Sequence, residues 1–328
     1  MQADGDHELS PSALLTRCGE IAGFEAFVIA LGFPSLDDWI ASWLARDGLS
    51  LAQEVWPVGV DPHWIASVGL PLLDQVQQQQ RLGGRSLLGL AAMPGCGKST
   101  LCAWIKAAAA ASMDLAVEVV SIDDFYFEGS RLDEVMRGNP WQAPRGIPGS
   151  HDLVLLAECL SQWRQHGIFQ CPVFDKSLRQ GRGDRAGFRE VQADLLILEG
   201  WFVGVGHWGD HRHDQHSQDL APLTPAELSY RAVVRDNLIA YQQAWDALDL
   251  LWHLCPTSLA HVTTWKQQQN AAMYQGTGVK MSDADLGQMT RSLQVCIPEF
   301  ALLHERPADV VLRVNTQRQV EEVLLAGD

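Results

Sequence analysis

The spacing of apolar positions changes near residue 85. Before it, "LLTRCGEIAGFEAFVIALGF" (14–33) and "LDDWIASWLARDGL" (36–49) repeat their apolar residues at helical intervals. Pro34, Pro57, Pro62 and Pro71 punctuate this stretch, and the low-complexity tract "QVQQQQRLGG" (75–84) closes it on a Gly-Gly junction. The pattern predicts a helical N-terminal extension over 1–84. Beyond it, short apolar runs alternate with helical periods. "SLLGLAAM" (86–93), "LAVEVVSI" (115–122), "ADLLILEG" (193–200), "ALDLLWHL" (247–254) and "DVVLRV" (309–314) read as strands. "STLCAWIKAAAAA" (99–111) and "HDLVLLAECLSQWRQHG" (151–167) read as helices, the second with Asp152 at its start and Gly167 at its end. Strands alternating with helices predict an α/β unit over 85–328, a mostly parallel sheet with helices on both faces. The stretches 137–152 and 172–185 are polar and carry little secondary-structure signal.

Composition narrows the possible functions. The 328 residues are 47% hydrophobic, enough for a sizeable core. A net charge of −16 speaks against a nucleic-acid or anionic-membrane binder, which needs a basic face. Neither partner is expected. Seven cysteines without a C-x-x-C pair read as reduced thiols. The acidic start "MQADGDHELS" shows no signal peptide and no apolar run is long enough to span a membrane, so a cytoplasmic location is expected.

The sharpest chemical signal is "AMPGCGKS" (92–99), between a buried strand and a helix. It fits the phosphate-binding P-loop G-x-x-x-x-G-K-[ST], except that Ala92 replaces the first glycine. Gly95 and Gly97 let backbone N–H groups turn towards phosphate oxygens, and the helix that follows points its positive end at them. Pro94, Gly95, Cys96, Gly97, Lys98, Ser99 and Thr100 are thus the expected nucleotide cradle. Lys98 would reach the β- and γ-phosphates of ATP, and Ser99 would offer a hydroxyl to Mg²⁺. Cys96 reads as a small tolerated residue rather than a redox thiol.

A P-loop does not by itself separate kinases from GTPases, ATPases or switches. Carboxylates refine it. Asp123 and Asp124 end the strand after the P-loop helix, and Glu199 ends "LLILEG"; both ends should face the P-loop crevice. A kinase needs one carboxylate there for the attacking hydroxyl and one for the metal. "PVFDKSLRQGRGDR" (172–185) places Lys176, Arg179, Arg182 and Arg185 in a basic loop of an acidic chain, which suits an anionic small substrate or ATP phosphates. His207, His211, His213 and His216 have metal-like spacing but lie in a polar, glycine-rich loop with no cysteine near, and read as a solvated insertion.

Taken in order, the P-loop, "SIDDFY", "PGSHD", "PVFDKSLRQGRGDR" and "LILEGWFVG" closely resemble the P-loop D-glycerate 3-kinases of plants, fungi and cyanobacteria, relatives of uridine kinase, phosphoribulokinase and bacterial pantothenate kinase. The resemblance covers about residues 85–315 and implies a P-loop NTPase fold with a helical lid. It implies ATP and Mg²⁺ as cofactors, glycerate as acceptor and 3-phosphoglycerate as product, which in a photorespiring organism returns glycolate carbon to the Calvin cycle. It places Asp123 as catalytic base and Asp124 beside the metal or acceptor. Glu199 would support Mg²⁺ or the base. His151 and Asp152 fall in the acceptor segment. Asp175, Lys176, Arg182 and Arg185 fall in the loop assigned to glycerate and the transferred phosphate. Asn237 and Tyr241 fall near the acceptor, and Lys266, Lys280 and Arg291 in the lid region. Two alternatives remain open: a kinase of this fold with a nucleoside or pantothenate acceptor, and a non-enzymatic P-loop switch.

Overall fold

The structure, a computed structural model, describes residues 11–46, 61–209, 220–277, 281–304 and 306–327. In chain order the strands are β1 (Ser86–Ala92), β2 (Val117–Ser121), β3 (Ile168–Asp175), β4 (Asp184–Gln192), β5 (Leu195–Gly200), β6 (Leu250–Pro256), β7 (Val310–Val314) and β8 (Val320–Leu325). Six form one sheet in the order β2-β5-β1-β6-β7-β8, and β3 and β4 form a separate hairpin. Every pairing in the large sheet is parallel except β7–β8. β1 has neighbours on both sides and is buried along its whole length, which is why it reads as an unbroken apolar run.

Three aspartates fix the register of this sheet. Asp194, Asp249 and Asp309 stand just before β5, β6 and β7. Each donates its backbone N–H to a carbonyl beside it, that of Ala116, Leu87 and Leu251 respectively. Each carboxylate then accepts the N–H of that same residue, at 3.0, 2.7 and 2.7 Å. A carboxylate so placed satisfies a backbone donor where the ladder ends.

The helices in chain order are α1 (Pro11–Arg17), α2 (Phe24–Ala30), α3 (Leu36–Ala45), α4 (Leu70–Leu82), α5 (Lys98–Met113), α6 (Gly129–Val135), α7 (Leu153–His166), α8 (Pro225–Leu238), α9 (Gln242–Asp246), α10 (His261–Thr277) and α11 (Asp283–Val295). A single turn at Pro62–Trp64 and a π-helical turn at Ile65–Gly69 lead into α4. The tryptophans of "DDWIASWLA" face inward. The indole N–H groups of Trp39 and Trp43 donate to the buried Asp74 carboxylate at 2.7 and 2.8 Å. Burial raises the Asp74 pKa, and the two indoles and Arg46 work against it.

The N-terminal helices join the sheet at its far edge. Ala22 bridges Glu322, and Phe27 meets Trp252 of β6 ring to ring at 5.5 Å. Gly23 has φ +77°, and a Cβ there would stand 2.1 Å from the Val323 carbonyl oxygen. The apolar residues of this segment and of the sheet form one continuous hydrophobic cluster.

The predicted strands occur within two or three residues of their expected bounds. The β3–β4 hairpin is a correction to the reading of 172–185 as having little secondary structure. β4 carries no apolar alternation because Val191 is its one buried residue, and β3 is half buried. β8 also went unread. All seven cysteines are free and buried. Among the described residues no helix is long and apolar enough to cross a membrane. His211, His213, His216 and Lys280 lie outside the described residues.

Candidate active site

The loop between β1 and α5 forms the floor of a crevice of about 750 Å³. Pro94, Gly95, Cys96, Gly97, Lys98, Ser99 and Thr100, the expected nucleotide cradle, all line it. Gly95 must be glycine: its φ is +89°, and a Cβ would stand 2.6 Å from that of Trp265 on α10. Ala92 lies upstream of the turn, buried in β1 and paired with Leu254, so the missing first glycine is outside the cradle. Cys96 is fully buried and burial pushes its thiol up to about 12, far from a reactive thiolate.

Lys98 opens α5, and its ammonium pairs with the Glu199 carboxylate at the end of β5. Burial lowers the Lys98 pKa, against the pull of nearby groups that include Asp123. Asp123 sits in a 3₁₀ turn (Ile122–Phe125) directly after β2. The Ser121 hydroxyl accepts its backbone N–H at 3.3 Å. One carboxylate oxygen accepts from the Tyr126 hydroxyl at 2.7 Å, the other from the Lys176 ammonium at 2.8 Å. Burial opposes ionisation, but Lys176, Tyr126 and the nearby His151 bring the Asp123 pKa down to about 2. Asp123, Lys176 and Glu199 line the same crevice as the P-loop. The expected phosphate cradle, a carboxylate whose pKa is held down, and the ammonium groups of Lys98 and Lys176 therefore share one crevice.

The neighbouring aspartate has another setting. Asp124 does not line the crevice; its carboxyl takes backbone hydrogen bonds at Ser121 and Phe174 and lies near Arg189, with burial raising its pKa. His151 is buried, stacked on Tyr126 with ring centres 4.6 Å apart. Its Nδ1 is 2.7 Å from the Tyr241 hydroxyl, its Nε2 has no partner, and burial lowers its pKa to about 4. The Tyr241 hydroxyl also accepts the Gly149 N–H, and the Asn237 amide donates to the Pro148 carbonyl, so both residues pin the 148–151 loop.

The charges of the basic stretch are mostly spent within the scaffold. Asp152 caps α7 through the Leu155 N–H. Asp175 accepts from the backbone and hydroxyl of Ser177. Arg179 and Arg182 both pair with Asp133 on α6. Arg185 reaches Glu128, Asp152 and the Tyr126 carbonyl. Of this stretch, among the described residues, Lys176 alone lines the crevice. In the helical pair α10–α11, Lys266 lines it, whereas Arg291 binds Glu227 at 2.8 Å and two carbonyls of 221–222.

The sequence reading missed two walls. Arg318, in the β7–β8 turn, donates from Nε to the Gly95 carbonyl at 2.8 Å and lies 5.6 Å over the Trp265 ring. Asp61 and Trp64, before α4, close another side. Neither belongs to a recognisable motif. Tyr126 was also missed, although a residue three positions after Asp123 in a 3₁₀ turn returns to the same face.

A hard, oxygen-liganded Mg²⁺ fits this donor set. It needs one or two carboxylates and otherwise uses water and phosphate oxygens. Ser99, Glu199 and Asp123 supply a hydroxyl and two carboxylates facing one crevice. Among the described residues no group of three or more His, Cys, Asp or Glu could hold a metal without a nucleotide.

No protein-family model matches the chain. It is 35% identical over 182 residues to the probable ATP-dependent kinase TDA10 of Saccharomyces cerevisiae, a match covering 51% of this chain and 60% of that protein. The chain thus spans about three-fifths of the curated relative it matches. Its fold is shared with a D-glycerate 3-kinase from Cryptococcus neoformans, with a TM-score of 0.65 and 22% identity, covering 86% of this chain and 99% of that one. It is shared also with the YGR205w protein, with a TM-score of 0.63 and 22% identity, covering 79% and 97%. The architecture is the P-loop NTPase fold expected from the sequence, a mostly parallel sheet with helices on both faces.

Proposed function

We propose that the chain is an ATP-dependent kinase that transfers the γ-phosphate of ATP to the 3-hydroxyl of D-glycerate. The observation that carries this reading is the single crevice in which Asp123, held ionised by Lys176 and Tyr126, faces the P-loop with Lys98 and Ser99. The likeness to a probable ATP-dependent kinase and the fold shared with a D-glycerate 3-kinase support it.

ATP phosphates would lie in the turn of N–H groups from Gly95 to Ser99. Lys98 would hold their β- and γ-oxygens, and Ser99 and Glu199 would hold Mg²⁺, which would neutralise phosphate charge. Asp123 accepts a hydrogen bond from the attacking hydroxyl and aims it in line. With a pKa of about 2 it is a weak base. That is adequate, because the loose transition state asks for orientation more than early proton removal. Lys176 is the residue we assign to the acceptor carboxylate. Asp152, Asp175, Arg182 and Arg185 we assign to the scaffold that presents it.

Two substitutions test these roles. Asp123→Asn should lower kcat about 10²- to 10⁴-fold with little change in KM for ATP. Lys176→Ala should raise KM for D-glycerate more than KM for ATP. Full turnover by Asp123→Asn would remove the assignment. A ³¹P spectrum of the product identifies the phosphorylated oxygen.

A further inference from the structure

We propose that Arg318 is a positioning residue of the nucleotide cradle: through the Gly95 carbonyl it fixes one peptide plane of the P-loop before any phosphate arrives. This rests on the reading of the crevice as an ATP site. The turn between β7 and β8 (315–319) is tightly built. The Asn315 side chain accepts the N–H groups of Gln317 and Gln319 at 3.0 and 2.9 Å, and the Arg318 N–H donates to the Asn315 carbonyl at 2.9 Å. Arg318 has a φ of +66°, a left-handed conformation that hairpin turns ordinarily give to glycine or asparagine. A residue with a long side chain is strained there, and its surroundings must compensate. The contacts of the guanidinium supply that compensation. Its Nε donates to the Gly95 carbonyl at 2.8 Å, and its central carbon lies 5.6 Å from the centre of the Trp265 ring.

Trp265 closes the circuit. Its indole N–H donates to the Thr316 carbonyl at 2.7 Å, in the same turn as Arg318, and its Cβ occupies the space that a side chain at Gly95 would need. Gly95, Trp265 and Arg318 are therefore linked pairwise. At the other edge of the same peptide plane, the Cys96 N–H donates to the Met93 carbonyl at 3.2 Å. The Gly95–Cys96 peptide is thus held by both its carbonyl and its N–H. A phosphate cradle works by presenting N–H groups. A carbonyl free to swing among them would set its negative end against phosphate oxygens, and the bond to Arg318 removes that freedom. No motif marks Arg318, because the residue acts from a turn at the far end of the chain.

The test compares the full chain with its Arg318→Gly variant, in which glycine suits the φ of +66° and keeps the turn while the guanidinium is lost. In calorimetric titrations with Mg²⁺ present, the variant should bind ATP and inorganic tripolyphosphate each about tenfold more weakly, because both need the cradle. Unchanged affinity for ATP overturns the proposal. Weakening of ATP alone also overturns it, since that would mean a contact to base or ribose. Amide exchange in the ligand-free proteins separates positioning from direct contact with phosphate. The Cys96 N–H should exchange about tenfold faster in Arg318→Gly, because its peptide has lost an anchor. An unchanged rate overturns the proposal and leaves the ATP reading standing. Failure of the unsubstituted chain to bind either ligand would overturn the ATP reading, and this proposal with it.

Discussion

Asp123 keeps its charge because Lys176 and Tyr126 occupy its two oxygens, while Asp124, one residue on, turns to backbone donors near Arg189. Adjacent like charges at a strand end are thus separated by the 3₁₀ turn, which sends one carboxylate into the crevice and the other out of it. The sign of the pH dependence follows. The Asp123 pKa is depressed to about 2 from 3.8, so its stabilising interaction is present above 3.8 and lost as the pH falls through about 2. Its titration therefore gives no acid limb between pH 5 and 8 in kcat/KM. A limb in that range that vanished in Asp123→Asn would contradict the assignment. His151 behaves differently. Its folded pKa is about 4 against 6.5 for a free histidine, so the unfolded chain binds more protons between those values. Stability should fall as the pH drops from about 6.5 to about 4. Melting temperatures across that window should show a shallower slope for His151→Gln than for the unsubstituted chain.

Among the elements, the strands with unbroken apolar runs were legible, because burial on both faces leaves no polar residues to confuse the pattern. The β3–β4 hairpin was not: β4 has only Val191 buried, so no apolar alternation marks it, and the arginines beside it read as a free basic loop although Asp133, Glu128 and Asp152 engage them. Charge in a sequence shows that a cation exists but not which carboxylate will meet it. Arg291 makes the same point, since its partner Glu227 lies 64 residues away. The strand-leading aspartates were visible as the recurring strings "ADLL", "LDLL" and "ADVV", but their role depends on a neighbouring strand that only the fold reveals. Each satisfies a backbone N–H with a charged acceptor. Asp309→Ala should therefore destabilise the chain by about 1–3 kcal/mol in denaturant unfolding, and Asp309→Asn by less. An unchanged midpoint for Asp309→Ala would show that solvent replaces the bond at no cost.

At the scale of the whole molecule, the P-loop, Asp123 and Glu199 were legible together because each stands at or just after the end of a strand of the six-stranded sheet, whereas Lys176 follows β3 of the separate hairpin and was legible only as part of a basic stretch. Trp64 and Arg318 were not, because they come from a turn before α4 and a hairpin near the C-terminus, far from any motif, and reach the crevice only through the packing of the N-terminal helices and β8 onto the core. The central claim is that this crevice joins a phosphate cradle to an acceptor site for a small hydroxy acid. Its most direct test is ADP release by the purified chain with Mg-ATP, offered D-glycerate, uridine, pantothenate or no acceptor in parallel. The account predicts release with D-glycerate alone. Release with uridine or pantothenate instead would keep the kinase and discard the acceptor, and release without any acceptor, or none at all, would contradict the account.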